Sequence, residues 1–181
     1  MPPNPRYHHG DLPGALVRAA MELLEDDGAT ELSLRAVARR AGVSTAAPYR
    51  HFADRNALLS AVAAVGYREL AGELIAAHPE PTTPEGIAAL AVAYVRFALA
   101  RPGLFRVMFA EQCDANSPER VAAVAAIQEY LNSIVRQAFP SADEEAMAIA
   151  TWGMVHGLAF LHLDGKLDAS SDAVVADRIR A

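Results

Sequence analysis

Cysteine is almost missing: among 181 residues only Cys113 carries a thiol, so no intramolecular disulfide can form. No basic-then-apolar leader opens the chain, and the two observations together predict a cytoplasmic protein. Strand-like alternation of useful length is missing as well, which leaves an all-α reading, and no segment repeats at a period of roughly 20–50 residues. A Gly-x-Ser-x-Gly nucleophile elbow and a glycine-rich phosphate loop are both absent. His8 and His9 have no cysteine or carboxylate cluster at ligand spacing beside them. His156 and His162 do not share a helix face as a ligand pair would, since they are six residues apart. The expectation is a protein that is not an enzyme and takes neither metal nor cofactor.

What is present is apolar and helical. Apolar residues make up 52% of the chain and charged residues 21%, enough for a substantial core in one or two domains. Ala146 to Leu163 carries no Asp, Glu, Lys or Arg, close to the length of a spanning helix. Thr151, His156, His162 and two glycines interrupt it, acidic residues flank it, and no positive-inside flank is present, so a buried helix is expected and no membrane association.

The net charge of -6 is unevenly placed. Residues 1–55 are neutral, with seven arginines against seven acids, and the rest of the chain carries the whole excess. Leu32 to Phe52 holds Arg35, Arg39, Arg40 and Arg50 and no acid, a window of +4 inside an acidic protein. A local basic face is what contact with phosphate requires.

Caps and breakers divide the chain into helices. Asp11 is placed to cap a helix to about Asp27, with Pro13 in its first turn and Gly28 at its end. Ser33 caps a short helix to Ala41, Gly42 supplies the positive φ of a sharp turn, and Ser44 opens a third helix to near Phe52. Asp54 caps a fourth, to about Ala77, and the Pro-rich run His78–Pro84 breaks it. Further helices are predicted over Pro84–Ala100, Leu104–Ala110, Pro118–Phe139, Asp143 to about Leu163, and from Ser171 or Asp172 onward.

The second and third of these form a helix-turn-helix pattern. Ala38 permits a close crossing, Gly42 makes the turn, and Val37, Ala41 and Val43 fill the space between the helices. Ser33 and Ser44, with the helix-start amides beside them, suit phosphate contacts. The run from Leu32 to Leu59, with Tyr49-Arg50-His51-Phe52, Asp54-Arg55 and Ala57-Leu58-Leu59, resembles the tetracycline-repressor (TetR) family. Tyr7-His8-His9-Gly10-Asp11-Leu12 is similar to the arm of one subgroup whose C-terminal domain carries a Trp-His-Gly pattern, here Trp152, His156 and Gly157.

The resemblance implies a homodimeric, ligand-responsive repressor that binds double-stranded DNA at a palindromic operator. A helix-turn-helix domain of three helices would occupy residues 7–67, and an effector-binding and dimerisation domain residues 68–181. Arg35 matches a base or phosphate contact, Thr45 and Ala46 the groove-facing start of the recognition helix, Tyr49 a phosphate-contacting tyrosine, and His51 and Arg55 backbone contacts. Arg50 is a further candidate. Pro48 departs from the aliphatic residue common elsewhere in the family, which puts in doubt which side chains face the bases.

Aromatic and Met side chains recur in the C-terminal part. By themselves they read as core. The resemblance instead places Tyr94, Phe97, Phe105, Met108, Phe109, Trp152, His156 and Phe160 around an effector cavity, with Tyr94, Trp152 and His156 as polar handles and the effector apolar, neutral or cationic. The resemblance also pairs the last two helices with their copies in a four-helix bundle. Two other readings stay open: a DNA-binding protein that needs no ligand, and an enzyme using the helical pocket with His156 as general base.

Overall fold

The computed structural model describes residues 11–27, 32–78, 83–140 and 143–181. Among them it has eight α-helices, one 3-10 turn and no strand. The helices are α1 (Leu12–Asp27), α2 (Leu34–Arg40), α3 (Arg55–Ala77), α4 (Pro84–Ala100), α5 (Pro102–Phe109), α6 (Pro118–Ala138), α7 (Glu144–Leu163) and α8 (Asp172–Arg180). The 3-10 turn is Pro48–Arg50. The arm at Met1–Gly10, the stop at Gly28 and Pro79–Thr82 of the proline-rich breaker lie outside the described residues.

Helix starts follow side chains that can accept an orphan amide. Ser33 Oγ accepts from Ala36 N–H at 3.2 Å, Asp54 Oδ1 from Ala57 N–H at 2.8 Å, and Asp143 Oδ1 from Ala146 N–H at 3.0 Å. Helices α5 and α6 begin instead at Pro102 and Pro118, where the missing N–H costs nothing.

One expected helix is not formed. Ser44 to Phe52 is a succession of turns ending in the 3-10 turn, not an α-helix. Pro48 has no N–H to give to Ser44, and most of the bonds that form are shorter-range, Ala47 N–H to Ser44 O, Arg50 N–H to Ala47 O and His51 N–H to Pro48 O, with one α-type bond, Phe52 N–H to Pro48 O, at the end. The all-α class is unaffected.

Helix α3 is the centre of the packing. It buries Leu58, Leu59, Val62, Ala63, Ala64, Tyr67, Leu70 and Leu74, and touches α1, α4, α5 and α6. Apolar residues cover most of its wheel because four neighbours pack on it, while Arg68, Gly72 and Glu73 stay exposed. The expected boundary between Tyr67 and Arg68 falls inside this continuous helix.

Helix α7 differs from its expectation. It was to be buried, yet within one chain only Ala159 and His162 are. One face packs on α4 and α6, while Ile149, Met154 and Leu161 stand 62%, 66% and 45% exposed. Its length and mean hydropathy of 1.4 match those of a spanning helix. Its bare face, however, carries Gly153 and Gly157, where an added Cβ would meet nothing within 4 Å.

Helix α5 lies closer to α1 than side chains allow. A Cβ on Gly103 would meet the Leu24 carbonyl oxygen at 2.5 Å, and that oxygen belongs to the backbone and cannot swing aside. Gly103→Ala should therefore destabilise the protein by about 1–3 kcal/mol, lowering the melting temperature by about 2–4 °C per kcal/mol. Gly72→Ala, in open space on α3, should raise it by up to about 1 kcal/mol through helix propensity. Thermal melts of the two variants decide the matter: a Gly103→Ala protein as stable as the parent contradicts the close approach.

Candidate nucleic-acid interface and helical cavity

The turn after α2 is built by hydrogen bonds that need a left-handed residue. Gly42 has φ of 69°, Gly42 N–H reaches Arg39 O at 3.2 Å, and Val43 N–H reaches back to Ala38 O at 3.0 Å. Leu34, Val37 and Ala38 face inward and are buried, as is Pro48. Pro48 thus fills an apolar position while removing one of the donors a regular α-helix would need here. Thr45, Ala46, Tyr49, Arg50 and His51 are left exposed together on its outer side, with Ser33, Arg35 and Ser44 also exposed.

The arginines of the basic window separate by partner. Arg40 Nη2 lies 2.7 Å from Asp26 Oδ2 and its Nη1 3.5 Å from Glu22 Oε2, which binds α2 to α1 and neutralises that charge. Arg55 Nε donates to Leu32 O at 3.0 Å, and its other nitrogens reach Glu111 Oε2 at 3.3 Å. Among the described residues, Arg35, Arg39 and Arg50 are exposed and make no ion pair. Arg39 adds to the residues singled out from sequence. It sits one α-helical turn after Arg35, and its i,i+4 spacing on a helix was the available signal.

Two concave regions stand out. A groove of about 680 Å³ between α1 and α3 is edged by charged side chains, among them Arg18, Glu22, Glu25, Arg68 and Glu69. The second, about 370 Å³, lies within the C-terminal helices. Ile87, Ala91 and Tyr94 of α4, Leu131, Ile134 and Ala138 of α6, Ala148, Thr151, Trp152 and Val155 of α7, and Ile179 of α8 form most of its wall. Of the eight residues proposed from sequence for a ligand pocket, Tyr94 and Trp152 line this cavity.

The other six lie elsewhere. Phe97, Phe105 and Met108 are buried side chains of the core. Phe105, Phe109, His156 and Phe160 pack into an aromatic cluster at one end of the cavity, with the His156 ring centroid 4.7 Å from that of Phe109 and 4.9 Å from that of Phe160. Tyr94 joins cluster to cavity: its hydroxyl shares a 2.9 Å hydrogen bond with His156 Nδ1. Burial raises the pKa of Tyr94 far above the ordinary phenol value and lowers that of His156, so both groups are held in their neutral forms. No carboxylate bonds His156 among the described residues, and none of them form a cluster able to hold a metal ion.

The N-terminal and C-terminal parts are linked through α5 and the loop after it. Tyr67 Oη donates to Met108 O at 2.8 Å, Arg101 bridges Glu25 at 3.0 Å and Glu69 at 2.9 Å, and Asp114 N–H donates to Ser60 Oγ at 2.8 Å. Phe105 and Phe109, one turn apart on the same helix, reach the His156 cluster.

Comparison with known proteins agrees with this architecture. Residues 16–62 match the family described as bacterial regulatory proteins, tetR family, and residues 87–181, more than half of the chain, match the tetracyclin repressor-like C-terminal domain. No match was found among the curated proteins. Among solved structures, a protein of unknown function from Rhodococcus sp. RHA1 is 36% identical, with 98% of this chain and 97% of that one covered and a TM-score of 0.78. A tetR-family regulatory protein from Rhodococcus RHA1 is 21% identical over 93% and 92% of the two chains, with a TM-score of 0.66. The fatty acid degradation regulator FadR from Bacillus halodurans is 15% identical over 93% and 97%, with a TM-score of 0.68. At those last two identities the likeness is one of fold. On its matched domains and its helical architecture, the chain belongs to the TetR family of transcription regulators.

Proposed function

We propose that the protein is a cytoplasmic, homodimeric repressor, released from a palindromic operator by a small molecule held in the 370 Å³ cavity. The observation that carries the DNA-binding part is the group of exposed Arg35, Arg39 and Arg50, without an ion pair among the described residues, beside Tyr49 and His51 in an otherwise acidic chain. Residues 7–67 serve DNA and residues 68–181 serve effector and partner. Ser33 and Ser44 offer hydroxyls to phosphate, and Thr45 and Ala46 face the groove, where alanine can pack on thymine methyls. Arg55, held against Glu111, reaches phosphate only by exchanging that carboxylate for it.

The dimer reading rests on α7. Ile149, Ala150, Gly153, Met154, Gly157 and Leu161 recur at helical spacing on the side turned away from α4 and α6. Small residues among them allow two such helices to approach closely. Helix α8 uses its own apolar residues, Val175 and Ala176, within the chain. A partner on α7 would also cover Met154, which lines the cavity, so dimerisation and ligand binding share a wall. Effector binding would act through Tyr94, the His156 cluster and α5 on the position of α1, favouring a dimer whose reading segments no longer fit adjacent major grooves.

Two outcomes follow. Arg35→Ala, Arg39→Ala and Tyr49→Ala should each weaken operator binding in a folded dimer, with each lost phosphate contact reducing the salt slope by about 0.9. Binding titrations across salt concentrations test this, and an unchanged affinity in all three variants refutes the interface. Ile149→Glu should yield monomers in analytical ultracentrifugation with helicity retained, since burying an unpaired carboxylate costs on the order of several kcal/mol. A parent protein already monomeric at micromolar concentration would overturn the α7 interface.

A further inference from the structure

The walls of the 370 Å³ cavity hold more information than its position. No Asp, Glu, Lys, Arg or His is among the described residues that line it. The wall is aliphatic on three sides, and its polar atoms are confined to the Tyr94, Thr151 and Trp152 side chains and to backbone. Two of these already have their protons directed within the protein. Thr151 Oγ1 donates to Met147 O at 2.8 Å, and the Tyr94 hydroxyl is bonded to His156 Nδ1. The Trp152 indole N–H is in turn directed to the Tyr94 hydroxyl, so what remains for a ligand is acceptor capacity, chiefly on Thr151 Oγ1.

In one chain the cavity opens to solvent along Trp152, Met154 and Phe139. Where the partner helix proposed on α7 covers that side, an ionised group would lose its hydration and meet no counter-charge among the described lining residues. The two titratable groups nearest the wall do not supply one, because burial keeps the Tyr94 phenol protonated and the His156 imidazole neutral. A carboxylate, phosphate or sulfonate is therefore rejected, and an ammonium finds no carboxylate. The volume, about a dozen times the ~30 Å³ share of one water molecule, is at the small end for ligand sites.

We infer that the cavity selects a small, uncharged, largely hydrocarbon molecule of two-ring size, carrying at most a hydroxyl or similar neutral polar group near Thr151. This narrows the neutral-or-cationic expectation from sequence to the neutral class. It rests on the proposal that this cavity is the effector site, but its test does not use DNA.

Trp152 is the single tryptophan of the chain and lies on the cavity wall, so its emission responds to binding there, and the filled-cavity variants below assign the response to this site. The probes are N-phenyl-1-naphthylamine, which is neutral, and 8-anilinonaphthalene-1-sulfonate, which has the same ring skeleton plus one sulfonate. On the full-length protein, the amine should quench Trp152 by energy transfer, saturating at no more than one molecule per chain. The sulfonate should bind at least about a hundredfold more weakly. Ala91→Phe, which fills the cavity from α4, should abolish the quenching with the circular dichroism unchanged. If that variant does not fold, Ala138→Phe fills it from α6.

Absence of quenching by the amine, comparable affinity for the sulfonate, or quenching that survives the filled cavity each overturns the inference. An operator-release assay then separates the two claims. Amine that binds at Trp152 without releasing DNA upholds the ligand class and counts against the cavity as effector site; release in step with Trp152 quenching upholds both.

Discussion

Helix α3 packs against four other helices, and much of the fold is arranged by that burial. It extends about 35 Å at 1.5 Å per residue, from Arg55 beside the turn-rich segment Ser44–Phe52, past Leu74 on the cavity wall, to Ala77. Burying Leu58, Leu59, Val62, Leu70 and Leu74 contributes about 1.5–3 kcal/mol each. Because one rigid helix belongs to both parts of the molecule, a change at the cavity cannot be absorbed by a soft linker. The short helix α5, pressed against α1 at Gly103 and bonded to α3 through Tyr67, adds a second connection between the same two regions.

Charge in this chain is decided locally. Five arginines occur between Leu32 and Arg55, yet their surroundings give them different work. Arg40 and Arg55 bind elements together through Asp26, Glu22 and Glu111, whereas Arg35, Arg39 and Arg50 keep their charge toward solvent. A net charge of -6 therefore coexists with a positive surface patch, and repulsion from the distant acidic half is screened over about 8–10 Å.

The aromatic side chains show a comparable division. Phe105, Phe109, Phe160 and His156 fill space with tilted and edge-on contacts, and aliphatic residues of α4 and α6 surround the space that is left open. Tyr94 belongs to both, with its ring against Phe105 and its hydroxyl on His156. The arrangement places a contiguous set of packed rings between the cavity and α5.

Much of the fold was legible from local rules. Asp11, Ser33, Asp54 and Asp143 mark helix starts because only short polar side chains reach the first free amides, and each one does so in the structure. Gly42 marks the turn because φ of 69° is strained for any residue with a Cβ. The basic window was equally plain, since a run without acids needs no knowledge of neighbours. The chain's own chemistry thus determined the all-α class, the helix-turn-helix position and the sign of its surface. What required the tertiary structure was every property that depends on a distant partner. Pro48 removed the expected helix because its lost hydrogen bond was not outweighed by helical propensity, while its ring found a buried place. Glu22 and Asp26 neutralise Arg40 from a different helix, and Glu111 holds Arg55 across 56 residues of chain. An aromatic stripe reads the same whether it lines a cavity or fills a core; only the packing of α4, α6 and α7 separated Trp152 and Tyr94, at the cavity, from Phe97 and Met108, in the core. Helical period identifies an apolar face, and the neighbour that face meets is set by the assembled fold.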